Sequence, residues 1–551
     1  MLRTLLFLAA FLGLSQTASA QLLQAKLGAS RADSLRGTLT PLRTCYDINY
    51  YHLDVTLNIE NRSLSGSNLF RFTATQDFTR LQFDLFANLT VEKVVHKDQN
   101  LPFTREANAV FVTFAQPIRK GSRDEFTVFY SGKPRVAERA PWDGGLVFTK
   151  DANGKPWVAT ACQGLGASVW WPTKDHQADE VDSMLISVTV PQGLKDVSNG
   201  RLRKTTKLKG GATRFDWAVR NPINNYDVAL NVGDYTSFVD SYTGEKGKLT
   251  LEYWVLQENL AKAKTHFAAN VKPMLKSLEH WFGPYPFYED GYKLVDAPHL
   301  GMEHQSAVAY GNKYQNGYLG QDRSATGWGM KWDFIIIHES GHEWFGNNIT
   351  SKDIADMWIH EAFTTYSEAL FTESQFGKAA AQQYIHGQRR NIQNDGAIIG
   401  PYGVNQEGSG DMYDKGSNLL NMVRIIINDD EKWRQILRGL GKHFYHQTVT
   451  TDQIIGYINQ HSGKNLTKVF DQYLRHPSIP TLEIRQEEGQ LLVRWVANVP
   501  DFDMPVRVRV KGGQYGFIQP GTRFQPVEIP GATKDNLEVD TFNYYIGVLV
   551  D

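Results

Sequence analysis

The sequence predicts a multidomain α+β fold: an N-terminal antiparallel β-sheet domain, a mostly helical middle domain and a C-terminal β-sandwich. Three observations carry this. Short apolar–polar alternation with turn punctuation runs from Tyr50 to about Tyr235, helical spacing takes over near residue 255, and alternation returns after His476-Pro477. At 551 residues the chain has room for roughly three or four cores.

The elements follow in order. Residues 1–20, MLRTLLFLAAFLGLSQTASA, have an early Arg, an apolar centre and a small-x-small end at Ala18-Ser19-Ala20. This predicts a secretory signal peptide cut before Gln21, and hence an exported protein, periplasmic or extracellular. The stretch is too short for a stable span, no Cys follows the cut to carry a lipid, and no later run of about 18 apolar residues predicts a membrane span. Over 21–236, YYHLDVTLNIE, LQFDLF, AVFVTFA, DEFTVFYSG and MLISVTV read as strands and NG, GG and PQG as turns. Over 237–476, NLAKAKTHFAANVKPMLKSLEHWFG has helical spacing and stops at Gly283-Pro284. EKWRQILRGLGKHF, TTDQIIGYINQHSG and LTKVFDQYLRH are the last amphipathic helices of that part. Over 477–551, TLEIRQEEGQLLVRWVA, PVRVRVKGG and NYYIGVLVD alternate again.

Composition narrows the function classes. Apolar residues at 41% and charged residues at 21% are those of a soluble globular protein. A net charge of −1 with no basic block offers nucleic acid no electrostatic footprint. Nothing in the sequence specifies an oligomeric state. Cys45 and Cys162 lack zinc or redox spacing; two buried thiols and a disulfide both fit an exported chain of this size.

The chemistry concentrates at residues 338–348, HESGHEWFGNN, behind the apolar run FIII. Positions i and i+4 share a helix face, so His338 and His342 aim two imidazoles at one point. Glu339, rotated by about 100°, reaches past the metal towards a water rather than the metal itself. A catalytic zinc takes three protein ligands and keeps one position open. The third candidate is Glu361, eighteen residues beyond His342 in IADMWIHEAFTTYSEALF. Chance alone places H-E-x-x-H in roughly 2% of such chains, and a Glu at one set distance in far fewer. Gly346 is positioned to close the helix. Glu368, two turns beyond Glu361, is read either as a carboxylate orienting a liganding imidazole or as an exposed salt-bridge residue. One zinc ion per chain and Glu339 as general base together predict metal-assisted amide hydrolysis.

Four further stretches make the match specific: GMEH at 301–304, YDKG at 413–416, WWPTKD at 170–175 and NPINNYDVALNVGDY at 221–235. With HESGHEWFGNNIT and WIHEAFTTYSE in this order, the sequence resembles the aminopeptidase N family of gluzincin metallopeptidases, which includes leukotriene hydrolase, from about Tyr46 to the C-terminus. The resemblance implies a thermolysin-like catalytic domain and zinc-dependent removal of N-terminal residues from peptides with a free N-terminus. It implies that Glu303, in the segment Gly301-Met302-Glu303-His304, binds the substrate's α-amine, which fits an anchored carboxylate facing an ammonium. It implies that Tyr413 donates to the oxyanion. Gln163, in ACQGLGAS, matches a family glutamine lining the amine and first-side-chain pocket; a plain turn residue is the other reading.

Departures are His304 for the family's Asn, Ser168 and His176 where Arg and Glu are common, and Ala362 for the Gly after the third ligand. His304 is either a titrating neighbour of the amine site or a packed neutral imidazole. With no helical pattern after the β-sandwich, the family's large C-terminal helical domain is expected to be absent, which would leave the site more open. Rival readings are an epoxide hydrolase on the same fold, an endopeptidase, and a non-catalytic peptide-binding scaffold.

Overall fold

The computed structural model describes residues 29–551; the expected signal peptide over residues 1–20 lies outside them. The largest sheet has eight strands, in the order Arg201–Lys207, Thr213–Val219, Ser183–Val190, Tyr46–Asn58, Ser63–Ala74, Arg123–Gly132, Leu89–His96 and Gln99–Leu101. Neighbours are antiparallel. The exception is the parallel pair Tyr46–Asn58 and Ser183–Val190, with Tyr50 opposite Ser183. Leu53, Val55 and Leu57, every second residue of their strand, share one buried face and belong to the same apolar cluster as Phe70, Phe72 and Phe126. A smaller sheet follows, ordered Lys195–Val197, Asn231–Gly233, Pro156–Ala161 and Gly145–Lys150. The chain leaves Pro156–Ala161 directly into Cys162-Gln163-Gly164, which delivers this segment to the rim of the next domain.

That domain opens with a five-stranded sheet ordered Tyr235–Gly244, Gly247–Leu256, Tyr292–Asp296, Val308–Tyr310 and Gly301–Met302. Both faces are covered. Leu294, Val308 and Tyr310 join the core of the helices, whereas Val295, Met302 and Ala309 join the core of the N-terminal sheets. Covering both faces is why Tyr292–Asp296 is buried at every position instead of alternating.

Four helices frame the site: α1 (Leu260–Phe282), α2 (Phe334–Gly341), α3 (Trp358–Phe376) and α4 (Asp414–Ile427). Helix α1 ends at Gly283, whose φ of 95° is left-handed backbone that a Cβ would resist, and Pro284 forbids continuation. The regular part of α2 stops at Gly341, five residues before Gly346. At that point α2 runs close against α3: a Cβ at Gly341 would lie 2.7 Å from Ser367 Oγ. His342 keeps helical dihedrals (φ −61°, ψ −21°), so the turn that carries both histidines is intact. Ala362 also has its explanation, because the glycine of YDKG, Gly416, leaves the space its methyl fills: a Cβ at Gly416 would sit 2.6 Å from Ala362 Cβ.

The C-terminal unit pairs a four-stranded sheet (Gln525–Pro526, Gln490–Val496, Thr481–Glu487, Gly547–Val550) with a three-stranded one (Gly516–Ile518, Val506–Val510, Leu537–Val539). Its Leu482, Ile484, Val493 and Trp495 belong to the same apolar core as the helices, so it buttresses the helical domain. Cys45 and Cys162 are separate buried thiols. Among the described residues no helix is long and apolar enough to cross a membrane.

Candidate metal centre

Asp333 caps α2, its carboxylate accepting from Ile336 N at 3.2 Å. The same carboxylate accepts from Tyr310 Oη at 2.7 Å and Asn312 Nδ2 at 2.8 Å, which ties the helix start to the sheet. One turn on, His338 and His342 present their rings 5.1 Å apart, and Nε2 of each faces Glu361 Oε2 on α3, at 3.7 Å and 3.5 Å. Each Nδ1 is occupied on its far side. His338 Nδ1 donates to Glu368 Oε1 at 2.8 Å, and His342 Nδ1 donates to Phe345 O at 3.0 Å beside Thr364 Oγ1 at 3.2 Å. Those bonds fix the tautomer and leave both Nε2 lone pairs pointing inward. Glu368 is buried, not exposed, and its other oxygen accepts from Tyr384 Oη at 2.7 Å and Gln388 Nε2 at 2.9 Å.

The donor set fits zinc. A tetrahedral ion with bonds of about 2.0–2.1 Å needs donors about 3.3–3.5 Å apart, close to the separations found. Glu361 Oε2 is buried with no hydrogen-bond partner, as a metal-facing oxygen would be. The ligand atoms of His338, His342 and Glu361 all lie within 4.8 Å of one another.

Glu339 lies beside the cluster, with one carboxylate oxygen within 4.8 Å of donors on His342 and Glu303. Its partner in space is Gly301: a Cβ there would stand 2.7 Å from Glu339 Oε1, so glycine lets the edge strand pass without displacing the carboxylate. Met302 is buried, facing the N-terminal core. Glu303 is buried, with Oε1 unpartnered. Its backbone is gripped from the motif segment: Asn347 Nδ2 donates to Glu303 O at 2.8 Å, and Ser306 N donates to Glu343 Oε1 at 2.8 Å. His304 is fully buried with neither ring nitrogen hydrogen-bonded, and burial lowers its pKa to about 3, which makes it a packed neutral imidazole. Gln163, partly exposed, donates from Nε2 to Glu361 Oε1 at 2.9 Å.

Tyr413 precedes α4 with its ring 6.0 Å from that of His338. Burial, followed by the charge of Glu361, raises its phenol pKa well above the ordinary range, so it stays a donor. Asp414 next to it pairs with Arg323 at 3.0 Å, anchoring the helix start. Four carboxylates (Glu303, Glu339, Glu361 and Glu368) thus converge on two imidazoles. Burial raises the pKa of Glu339 and takes that of Glu303 to about 8. Such a pocket calls for cationic partners: a metal ion at one end and an ammonium at the other.

Asn347, Glu343, Thr364, Tyr384 and Gln388 escape sequence reasoning because their roles exist only in contacts between distant segments. The N that follows WFG was the one available signal.

Residues 268–473 match the family model described as the Peptidase family M1 domain, and residues 47–226 match the Peptidase M1 N-terminal domain. Aminopeptidase B of Mus musculus is 24% identical over 433 residues, 73% of this chain and 62% of that protein. Tricorn protease-interacting factor F2 of Thermoplasma volcanium is 20% identical over 399 residues, 68% of this chain and 48% of that protein. The chain therefore spans about half to three fifths of the length of these curated relatives. In fold it resembles an M1 zinc metallopeptidase variant from Deinococcus radiodurans bound to a Tyr-Ser-Ala substrate. That likeness has a TM-score of 0.67 at 20% identity, covering 81% of this chain and 98% of the other.

Proposed function

The chain belongs to peptidase family M1, and we propose that it is an exported zinc aminopeptidase that hydrolyses the first peptide bond of peptides with a free N-terminus. The observation that carries this is Glu303: a buried carboxylate oxygen without a partner, in a cluster whose donors on Glu303, Glu339 and His342 lie within 4.8 Å of one another. In a peptide the α-amine and the scissile carbonyl carbon are about 2.5 Å apart. An ammonium held by Glu303 therefore leaves room for one residue before the bond under attack, which makes cleavage exopeptidic.

His338, His342 and Glu361 hold the zinc, which when bound polarises the scissile carbonyl and brings the pKa of a water to about 7. Glu339 takes the proton of the attacking water and passes it to the departing amine nitrogen, so the leaving group departs neutral. Tyr413 donates its phenol hydrogen to the oxygen that gains charge as the carbonyl carbon becomes tetrahedral. Glu368 holds His338 and the Phe345 carbonyl holds His342, so neither imidazole turns when substrate enters. The Gln163 amide, bonded to Glu361, forms the wall on the amine side. The leader-like residues 1–20 support export, and N-terminal sequencing of the exported protein should begin at Gln21.

The test uses aminoacyl-arylamides beside their N-acetylated twins, with chelator and zinc add-back. Chelator-sensitive cleavage of the free-amine set alone is expected. Efficient cleavage of blocked substrates would make the enzyme an endopeptidase, and no cleavage of either would refute the activity.

A further inference from the structure

One carboxylate in the cleft has no task in the chemistry above. Glu407 lies on the loop that leads to Tyr413 and is partly exposed, as are Gln163, Gly164 and Tyr413, whereas the metal-facing residues are buried. Its side chain lies across from Gly164: a Cβ there would be 2.6 Å from Glu407 Oε1. Gly164 follows Gln163, whose amide is 2.9 Å from the Glu361 carboxylate. The Glu407 carboxylate is close enough to the centre for the charge of Glu361 to act on it, and for its own to act on the Tyr413 phenol.

The loop holding it is tied down at several points. Asn405 N donates to Asp33 O at 3.3 Å, Asn405 Nδ2 to Gly164 O at 3.0 Å, and Ser409 N to Ala397 O at 2.8 Å. Gly408 is pressed so closely on the Ile398 carbonyl that a Cβ would fall 1.9 Å from its oxygen. Among the described residues no lysine, arginine or hydrogen-bond donor meets the Glu407 side chain. The nearby cation, Arg36, is engaged by the Leu165 carbonyl and Asp175.

A partly exposed carboxylate in the cleft wall, with no cation or donor of the protein's own on it, is available to a cation that a ligand brings. The α-amine is already matched by Glu303. What remains for a substrate to bring to the Gln163–Gly164 wall is the side chain of its first residue. We propose that Glu407 selects peptides whose N-terminal residue carries a cationic side chain, lysine or arginine, by pairing with that charge at the Gly164 wall. This rests on the aminopeptidase reading for its biological use, but pairing itself can be measured without turnover.

The experiment compares L-lysinamide with L-norleucinamide, which share the α-amine and differ at the far end of the side chain by the ammonium. Binding to the zinc-loaded chain and to its Glu407→Gln variant is followed by calorimetry, and hydrolysis of the matching arylamides is measured alongside. Lysinamide is expected to bind the unaltered protein roughly 10- to 100-fold more tightly, the range for one charge-assisted contact. Glu407→Gln should erase that margin and leave norleucinamide binding within about threefold, which also shows that the variant is folded. Equal binding of the two amides, failure of both to bind, or an equal weakening of both in the variant would overturn the proposal. The last result would assign Glu407 to the α-amine or to Tyr413 instead. If binding discriminates as expected but neither arylamide is cleaved, the aminopeptidase reading fails while the selection by Glu407 stands.

Discussion

Glu368 Oε1 accepts a hydrogen bond from His338 Nδ1 at 2.8 Å, and the carboxylate is itself held by Tyr384 and Gln388. The imidazole is thereby held in one orientation before any metal arrives. Glu368→Gln keeps the shape and removes the charge. It should lower zinc affinity roughly 10- to 100-fold, read by competition with a chromophoric chelator. Unchanged affinity would reduce Glu368 to a packing residue.

Gly301 and Glu339 make a steric prediction. The Cβ of Gly301→Ala must stand 2.7 Å from Glu339 Oε1 or push the carboxylate aside. For the general base proposed above, a displacement of about 1 Å costs on the order of 100-fold in rate. The variant should keep its zinc stoichiometry and lose kcat. Full activity would mean that the edge strand yields instead.

For Tyr413, the phenol stays protonated through the neutral range and serves as a donor. Tyr413→Phe removes one hydrogen bond made to the developing oxyanion, which is worth roughly 100- to 1000-fold in kcat. KM and zinc content should barely move. A loss confined to KM would place the phenol in ground-state binding.

His299 supplies a pH prediction. Burial, opposed by its bond to the Thr160 carbonyl, lowers its pKa from 6.5 to about 4. The folded chain thus holds it neutral while the unfolded chain protonates below pH 6.5. Its contribution is complete above that value and falls as pH drops from 6.5 through about 4, by about 2 kcal/mol at pH 5. Urea unfolding of zinc-free protein at pH 7.5 and pH 5 should show this loss, and His299→Gln should flatten it. Equal slopes in both proteins would refute the assignment.

Legibility in the sequence followed the range of the interactions. His338, His342 and Glu339 sit within one helical turn, so spacing alone aligns them. Glu361 needed only a second helix at a set distance. Glu303 and Tyr413 became visible through resemblance, because nothing local tells an amine anchor from a surface acid. The regular part of α2 ends five residues before Gly346, and the close approach of Gly341 to Ser367 on α3 is a contact between helices that helical periodicity cannot register. The parallel pairing of Tyr46–Asn58 with Ser183–Val190 was hidden for the same reason, since strands joined by a long crossover carry no turn signal. Glu407 stands out only once Gly164, more than 200 residues away in sequence, is seen across from it.

The most direct measurement is a mass-spectrometric time course on an unblocked hexapeptide with the zinc-loaded protein. The account predicts a ladder of products shortened one residue at a time from the N-terminus, abolished by chelator and by Glu339→Gln, and absent for the N-acetylated peptide. Internal fragments appearing before the ladder, or shortening of the acetylated peptide, would contradict it.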